Sequence, residues 1–404
     1  MGFGVENDLL LALLKDSLTG TDSGVIQRYI KCEAPEGTDW KKLLFIAGQH
    51  SVSPLLYPLC AKDGDNCSKV LKDAVRQAAI SSAKQSYRLL ILSKYLVGKL
   101  REAGAEVIVL KGSATAQFYP VPEYRKSGDV DLLLTDPGQM ELCCRVLEQC
   151  GCVRKETQHA LHHVTLEAEG GIDVELHTLL AEPFDHVKTN KYLEKLVSGC
   201  NTQVAYANIM GVTLPVLKDG YHGYELLLHM LQHFLRAGFG LKLLCDWVVF
   251  WNREIPAEEL AIYLKLVKES GLKGFSDMVT LVCGTYLGLP KEYVSLLEVG
   301  SDYDAEEFMR EVLEAEEFGR SSSDRMVVMR GSSPWDYFRE FHHQMRLNFP
   351  RVGKCFLFWP VLWLITLINF IKNNQKVRNV STKAVFSKAV QRSKIIQQMK
   401  LWKC

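Results

Sequence analysis

The chain contains no acidic residue between Arg351 and Cys404, although the rest is rich in carboxylates. Nor does any uninterrupted apolar run reach the ~20 residues that a membrane-crossing helix needs, which excludes a polytopic membrane protein. Gly-X-Y periodicity, long low-complexity tracts and internal repeats are all missing, so fibrous, collagenous and wholly disordered chains are excluded too. The opening MGFGVE has no basic start followed by an apolar run, and no Ser or Thr at position six. Neither a secretory signal nor a myristoylation signal is therefore expected, and the cytoplasm is the natural compartment. The twelve cysteines are scattered. Their densest group, Cys143, Cys144, Cys150 and Cys152, lacks CxxC pairing and overlaps a helix beginning near Pro137, which favours reduced, partly buried thiols over a metal site.

What is present is ordinary in bulk and uneven in distribution. At 404 residues, with 47% hydrophobic and 24% charged residues, the chain is long enough for two or three domains and a sizeable core. Its formal net charge is only +1, from 48 basic and 47 acidic residues, yet eleven of the basic ones lie in residues 351–404. The remainder carries 37 basic against 47 acidic residues, a net −10. An acidic body thus bears a basic tail, and the tail is suited to an anionic surface.

Periodicity divides the chain into four parts. Residues 1–100 form an N-terminal helical region, with helices expected over Asn7–Leu18, Val25–Tyr29, Trp40–His50 and Cys67–Leu100. Residues 101–218 form an α/β core. Short β-branched or alternating runs predict strands at Glu106–Leu110, Asp129–Leu134, His163–Ala168 and Ile172–His177, with a hairpin through Glu169-Gly170-Gly171. Helices over Ser113–Tyr119 and Gly138–Gln149 separate them. Residues 219–350 form a helical domain with helices at Tyr224–Leu235, Leu241–Trp251, Ala257–Ser270 and Ala305–Phe318, followed by a loop over Gly319–Pro334. Residues 351–404 are the basic, partly hydrophobic tail. The fold class is therefore α+β: a small mixed sheet flanked by N-terminal and C-terminal helical segments.

The chemistry concentrates between Val109 and Leu134. A strand runs directly into Lys111-Gly112-Ser113 and a helix, a turn whose backbone N–H groups suit phosphate. Asp129 and Asp131 follow on a second strand, and because strand side chains alternate, both carboxylates project from one face as a divalent-metal clamp. By the same rule Asp173, Glu175 and His177 share a face of a third strand. Each signal has a bland counterpart: a DxD is commonly two solvent-facing carboxylates, and Lys111 can be a surface cation at a turn. Their ordered combination within seventy residues favours the functional reading.

These residues carry a resemblance. The KGS turn, the stretch RKSGDVD from Arg125 to Asp131, the VELH strand at Val174–His177, and LLLHMLQHF with Cys245-Asp246-Trp247 are similar to the uncharacterised nucleotidyltransferase family of bacteria, within the polymerase-β-type nucleotidyltransferase superfamily. The likeness spans roughly 89–251 and departs from the superfamily in the long gap between Gly112 and Asp129. The resemblance implies transfer of a nucleoside monophosphate from an NTP, ATP among the possible donors, to a hydroxyl acceptor with release of pyrophosphate. It implies two Mg²⁺ ions held by Asp129, Asp131 and Glu175 as the catalytic acids, with Glu175 ahead of Asp173 as third acid because it stands two before the His. Lys111, Gly112, Ser113 and Arg125 would contact the nucleotide phosphates. Asp173, His177, His229, His233 and Asp246 would line the cleft, a satisfied packing role standing at least equal for the histidines and Asp246.

The acceptor stays open among a small hydroxylated metabolite, a protein side chain and an RNA end, although the acidic body disfavours extended nucleic acid. Two rivals remain: a non-catalytic nucleotide-binding or scaffold protein on the same fold, and a toxin or defence enzyme acting on tRNA or protein. A zinc hydrolase is disfavoured because His229 and His233 enclose Met-Leu-Gln, without the Glu of a zinc-protease helix. His162 and His163 read as strand-end surface residues. In the tail, Cys355–Ile371 is the most apolar stretch, and Ser381–Trp402 mixes apolar residues with Lys and Arg in the manner of a surface-seeking basic helix. Burial against the body, peripheral or re-entrant attachment to an anionic leaflet, and a membrane-crossing anchor all compete for it.

Overall fold

Strand alternation decides which side of the sheet each residue serves, and two cores result. A computed structural model describes residues 2–19, 38–62, 69–155, 163–184, 186–200, 203–236, 238–290, 303–315, 334–349, 352, 355–372, 390 and 392–402. Helices α1 (Val5–Thr19), α2 (Trp40–Gln49) and α3 (Tyr57–Lys62) lead into the long α4 (Lys69–Glu102). Asp39 caps α2, its carboxylate accepting from the N–H groups of Lys41 and Lys42. The sheet opens with β1 (Val107–Leu110), followed by the short α5 (Lys111–Ala116) and β2 (Asp129–Leu134). Next come α6 (Met140–Gln149), β3 (Val153–Arg154), β4 (His163–Ala168), β5 (Ile172–His177) and α7 (Val187–Cys200). The hairpin β6 (Val204–Ile209) and β7 (Val212–Leu217) completes the sheet. Beyond it lie α8 (Asp219–Arg236), α9 (Leu241–Trp251), α10 (Ala257–Glu269) and α11 (Lys273–Tyr286). The last labelled helices are α12 (Ala305–Ala315), α13 (Pro334–Asn348) and α14 (Trp359–Lys372).

The seven strands are ordered β3-β4-β5-β2-β1-β7-β6. β1 is antiparallel to β2 and parallel to β7, whereas β2 is parallel to β5, so the sheet is mixed and the α+β reading holds. On one face Val107, Val109, Val130, Leu132, Val174 and Leu176 pack with Leu96, Val97 and Leu100 of α4 and with Cys143, Cys144 and Leu147 of α6. The cysteines therefore belong to a core; burial pushes the Cys143 thiol up to about 11. On the other face Ile108, Leu110, Leu133 and Leu217 join the larger core built by α1, α8, α9, α11 and α12. Odd-numbered positions of β2 face this helical side, and Asp129 and Asp131 are odd.

The helices foreseen over Val25–Tyr29 and the loop over 319–333 lie outside the described residues. The basic segment over Ser381–Trp402 behaves differently from a surface-seeking helix where it is described. Ile395, Ile396 and Met399 enter the helical core, and the fully buried Arg392 sets its Nε 2.9 Å from Glu311 Oε1. The Trp402 N–H donates to the Gly271 carbonyl at 2.9 Å, and its indole stacks on His186. Among the described residues no helix is long and apolar enough to cross a membrane.

Candidate active site

The site begins where β1 stops. Lys111, the next residue, has φ +41°, a left-handed conformation that costs a non-glycine residue about 1–3 kcal/mol. It brings the ammonium over β2, with Nζ donating to Asp131 Oδ1 at 3.2 Å. The helix anticipated over Ser113–Tyr119 is shorter and earlier: α5 spans six residues and is kinked at Gly112. A helix this short has little macrodipole, so an anion at the turn would rely on local N–H groups and the Ser113 hydroxyl.

The parallel register of β2 and β5 sets Asp129 opposite Asp173 and Asp131 opposite Glu175, with Leu133 opposite His177. Three of these side chains converge: ligand atoms of Asp131, Glu175 and His177 all lie within 4.8 Å of one another, the group among the described residues with metal-holding potential. His177 Nε2 is 2.8 Å from Asp131 Oδ1 and 3.3 Å from Glu175 Oε2. Facing two carboxylates, that nitrogen carries the proton and donates. Burial works against the charged imidazole, but the two acids outweigh it and hold His177 above its usual value. The His177 hydrogen bond in turn lowers Glu175, against burial.

The two aspartates diverge. Asp131 is buried, which favours the neutral acid, yet Lys111 and His177 hold it well below the carboxylate range. Asp129 opens to solvent at the strand end while protein crowds its other sides; that crowding, then repulsion from Asp131, pushes it up to about 6. Asp173 lies apart: it is bound to Lys155, which also reaches Glu167 at 3.0 Å, on an exposed part of the sheet. Of the two candidate third acids, Glu175 is the one that joins Asp131. His163, read from sequence as a strand-end surface residue, instead sets its ring 5.7 Å from that of His177; His162 lies outside the described residues.

One expectation needs correction. Arg125, assigned to phosphate, is buried in a bidentate pair with Asp246, Nε to Oδ1 at 2.7 Å and Nη2 to Oδ2 at 2.8 Å. Its remaining Nη1 donates to the Gly112 carbonyl at 3.2 Å and to the Ser127 hydroxyl. Every arm of the guanidinium is thus committed inside the protein, where it buttresses the Lys111–Ser113 turn. Asp246, left open between lining the cleft and packing, is buried and also accepts from the Tyr119 hydroxyl at 2.7 Å. The long gap between Gly112 and Asp129 supplies both Tyr119 and Arg125, so the extra residues tie the turn to α9.

α8 closes the other side. His229 and His233 bring their Nε2 atoms to 2.9 Å, and burial followed by the charges of Lys111 and His233 holds His229 well below its ordinary value. The residue that sequence reasoning missed is Glu225, one turn before His229. It is buried, neither oxygen has a hydrogen-bond partner, and burial, moderated by Lys111, pushes it up to about 7. A helical period over His222, Glu225, His229 and His233 was the available signal; the apolar run around Glu225 hid it. Lys242, whose charge acts on Asp129 and His229, is a second omission.

Two carboxylates and an imidazole thus converge beside the lysine that follows β1. The carboxylates of Asp131 and Glu175 and the His177 imidazole form the group that could hold a metal ion, and Asp129, on the same face of β2, is not part of it. His177 fits as the donor that orients the two carboxylates. No curated protein matches. An antigenic nucleotidyltransferase-like protein from Paracoccidioides brasiliensis, known from its crystal structure, is 17% identical over 50% of this chain and 92% of its own, with a TM-score of 0.31, too low to carry an argument. Residues 36–288 match the model of a family described as uncharacterised nucleotidyltransferase, more than half of the chain and all of the cluster, and the protein belongs to that family.

Proposed function

We propose that the protein is a Mg²⁺-dependent nucleotidyltransferase of the polymerase-β type, moving a nucleoside monophosphate from an NTP to a hydroxyl acceptor and releasing pyrophosphate. The observation that carries this reading is the convergence of Asp131, Glu175 and His177 beneath the Lys111 ammonium, with Asp129 on the same face of the same strand. Nothing structural requires like charges to gather there, since each buried carboxylate costs desolvation.

Asp129, Asp131 and Glu175 would hold the ions. When bound, Mg²⁺ lowers the pKa of the acceptor hydroxyl and stabilises charge on the entering and leaving oxygens. The chain's own residues do the remaining work. Gly112 and Ser113 meet the terminal phosphates through N–H and hydroxyl donors, and Lys111 adds a cation aimed at the same place. Arg125 fixes the Gly112 carbonyl and so keeps the turn in position. His177 orients Asp131 and Glu175. As the acceptor oxygen attacks the α-phosphorus, a new P–O bond forms and the bond to pyrophosphate breaks.

The test is calorimetric titration with a non-hydrolysable NTP, with and without Mg²⁺, together with pyrophosphate detection across pools of metabolites, proteins and RNA. Binding that requires Mg²⁺ and weakens at least ~10-fold in Asp131→Asn is expected. Binding indifferent to Mg²⁺, with no pyrophosphate from any pool, would assign the fold to a non-catalytic nucleotide binder.

A further inference from the structure

Residues 355–372 leave a row of large apolar side chains in water. Leu357, Val361, Leu364, Ile365 and Ile368 recur at helical spacing, so they share one face of α14 and the turn before it. Leu357 is 71%, Val361 59% and Leu364 57% exposed, and Phe356, Phe358 and Leu367 widen the patch. Water-facing apolar patches of this extent mark interaction sites.

The stripe is not a stray segment. On the reverse side of α14, Leu362 and Thr366 are buried. Trp359 and Trp363 lean on His342 of α13 with ring centroids 4.4 and 5.8 Å away, Trp363 Nε1 donates to His342 Nδ1 at 3.2 Å, and Phe338 meets Trp363 at 5.0 Å. The two helices form a hairpin with its own packing. Residues 392–402 are docked in the helical core through Arg392, Ile396 and Met399.

We propose that this hairpin is an interfacial membrane anchor, its apolar stripe entering the acyl region of an anionic leaflet while the surrounding basic residues meet lipid headgroups. Length sets the mode: fourteen residues of α14 at 1.5 Å each make about 21 Å, short of the ~30 Å hydrocarbon core, so the helix lies in the interface. Charge selects the occupant. Lys354 and Lys372 bracket the stripe in sequence, residues 351–391 hold seven basic and no acidic residues, and the buried Arg392 is already paired with Glu311. A second copy would bring two such cationic tails together. Nucleic acid would need aromatic platforms interleaved with the cations, but the stripe is aliphatic along most of its length. Anionic lipid satisfies the grease and the charge together.

Co-sedimentation of the full-length protein with vesicles decides the matter. Binding to phosphatidylcholine mixed with phosphatidylserine, weak binding to phosphatidylcholine alone, and a fraction that stays bound in high salt are expected. The triple substitution Leu357→Ser, Leu364→Ser, Ile368→Ser changes only solvent-facing positions and leaves every basic residue in place. It is expected to keep the wild-type circular dichroism spectrum and lower vesicle partitioning by at least ~10-fold. Unchanged partitioning in that variant, or no binding to anionic vesicles, overturns the proposal. A wild-type dimer in sedimentation equilibrium that the triple variant loses overturns it in favour of a second copy.

Discussion

Asp131 is the point where the charges of the site meet. It accepts from both Lys111 and His177, whereas Asp173, two residues before Glu175 on the same strand, is bound to Lys155. Asp131→Asn is therefore expected to reduce Mg²⁺-dependent transfer by ~10²-fold or more, and Asp173→Asn to leave it within about twofold. A comparable loss in both would place the ion elsewhere. Arg125 calls for a different readout, because its guanidinium is buried against Asp246. Arg125→Ala strands that carboxylate and is expected to cost about 3–5 kcal/mol, seen as a lower denaturant midpoint without any nucleotide. Wild-type stability combined with lost nucleotide affinity would return Arg125 to phosphate. That Asp129 and Asp131 share one face of their strand, and Asp173, Glu175 and His177 one face of theirs, was legible because strand alternation is a local rule. The fate of Arg125 was not, since its partner lies 121 residues away.

Elements read well where a compact apolar or alternating run is bounded by turn residues, as in β2, β4, β5 and α9, whose limits coincide with those anticipated. The hairpin of β6 and β7 escaped notice for a physical reason. Pro215 interrupts the alternation of β7, and Pro is a poor sign of a paired strand. The stronger clue was the two-residue turn Met210-Gly211, where both residues have positive φ, as a tight hairpin turn requires. α11 shows what a glycine can hold. A Cβ at Gly274 would stand 1.9 Å from the Met399 carbonyl oxygen and 2.7 Å from its carbon, so backbone must move to admit it. Gly274→Ala is expected to displace residues 392–402, destabilise the fold by ~1–3 kcal/mol and raise the amide exchange of that segment. Unaltered exchange would mean that the docking of the tail does not depend on this contact.

At the scale of the molecule, stability depends on pH through side chains sealed between the sheet and the helices. His222 is buried, its ring stacked on Phe250 at 5.3 Å and its Nε2 3.2 Å from Thr115 Oγ1. Burial, then the charges of Arg253 and Arg125, moves it from the ordinary 6.5 down to about 3. The unfolded chain thus binds a proton that the folded one refuses. Its contribution is complete above pH 6.5 and is lost progressively as pH falls toward 3, a span worth about 4–5 kcal/mol at ~1.4 kcal/mol per pH unit. His222→Phe, which keeps the ring and discards the proton, is expected to flatten the pH dependence of the urea midpoint over that range. A slope identical to wild type would assign the acid sensitivity to other groups, of which His229 is the next candidate.

The amino-acid order alone determined the alternation that aligns the acids on their strands, the glycine-led turn, the helical periods and the segregation of positive charge into residues 351–404. These follow from neighbours a few positions apart, or from composition, and need no fold. Tertiary structure alone decided that Arg125 supports the turn from within, that Glu225 is buried without a hydrogen-bond partner, and that one part of the basic tail docks while another presents its apolar face. Each of those outcomes turns on which distant groups exclude water from a side chain, and that depends on packing between segments far apart in the chain.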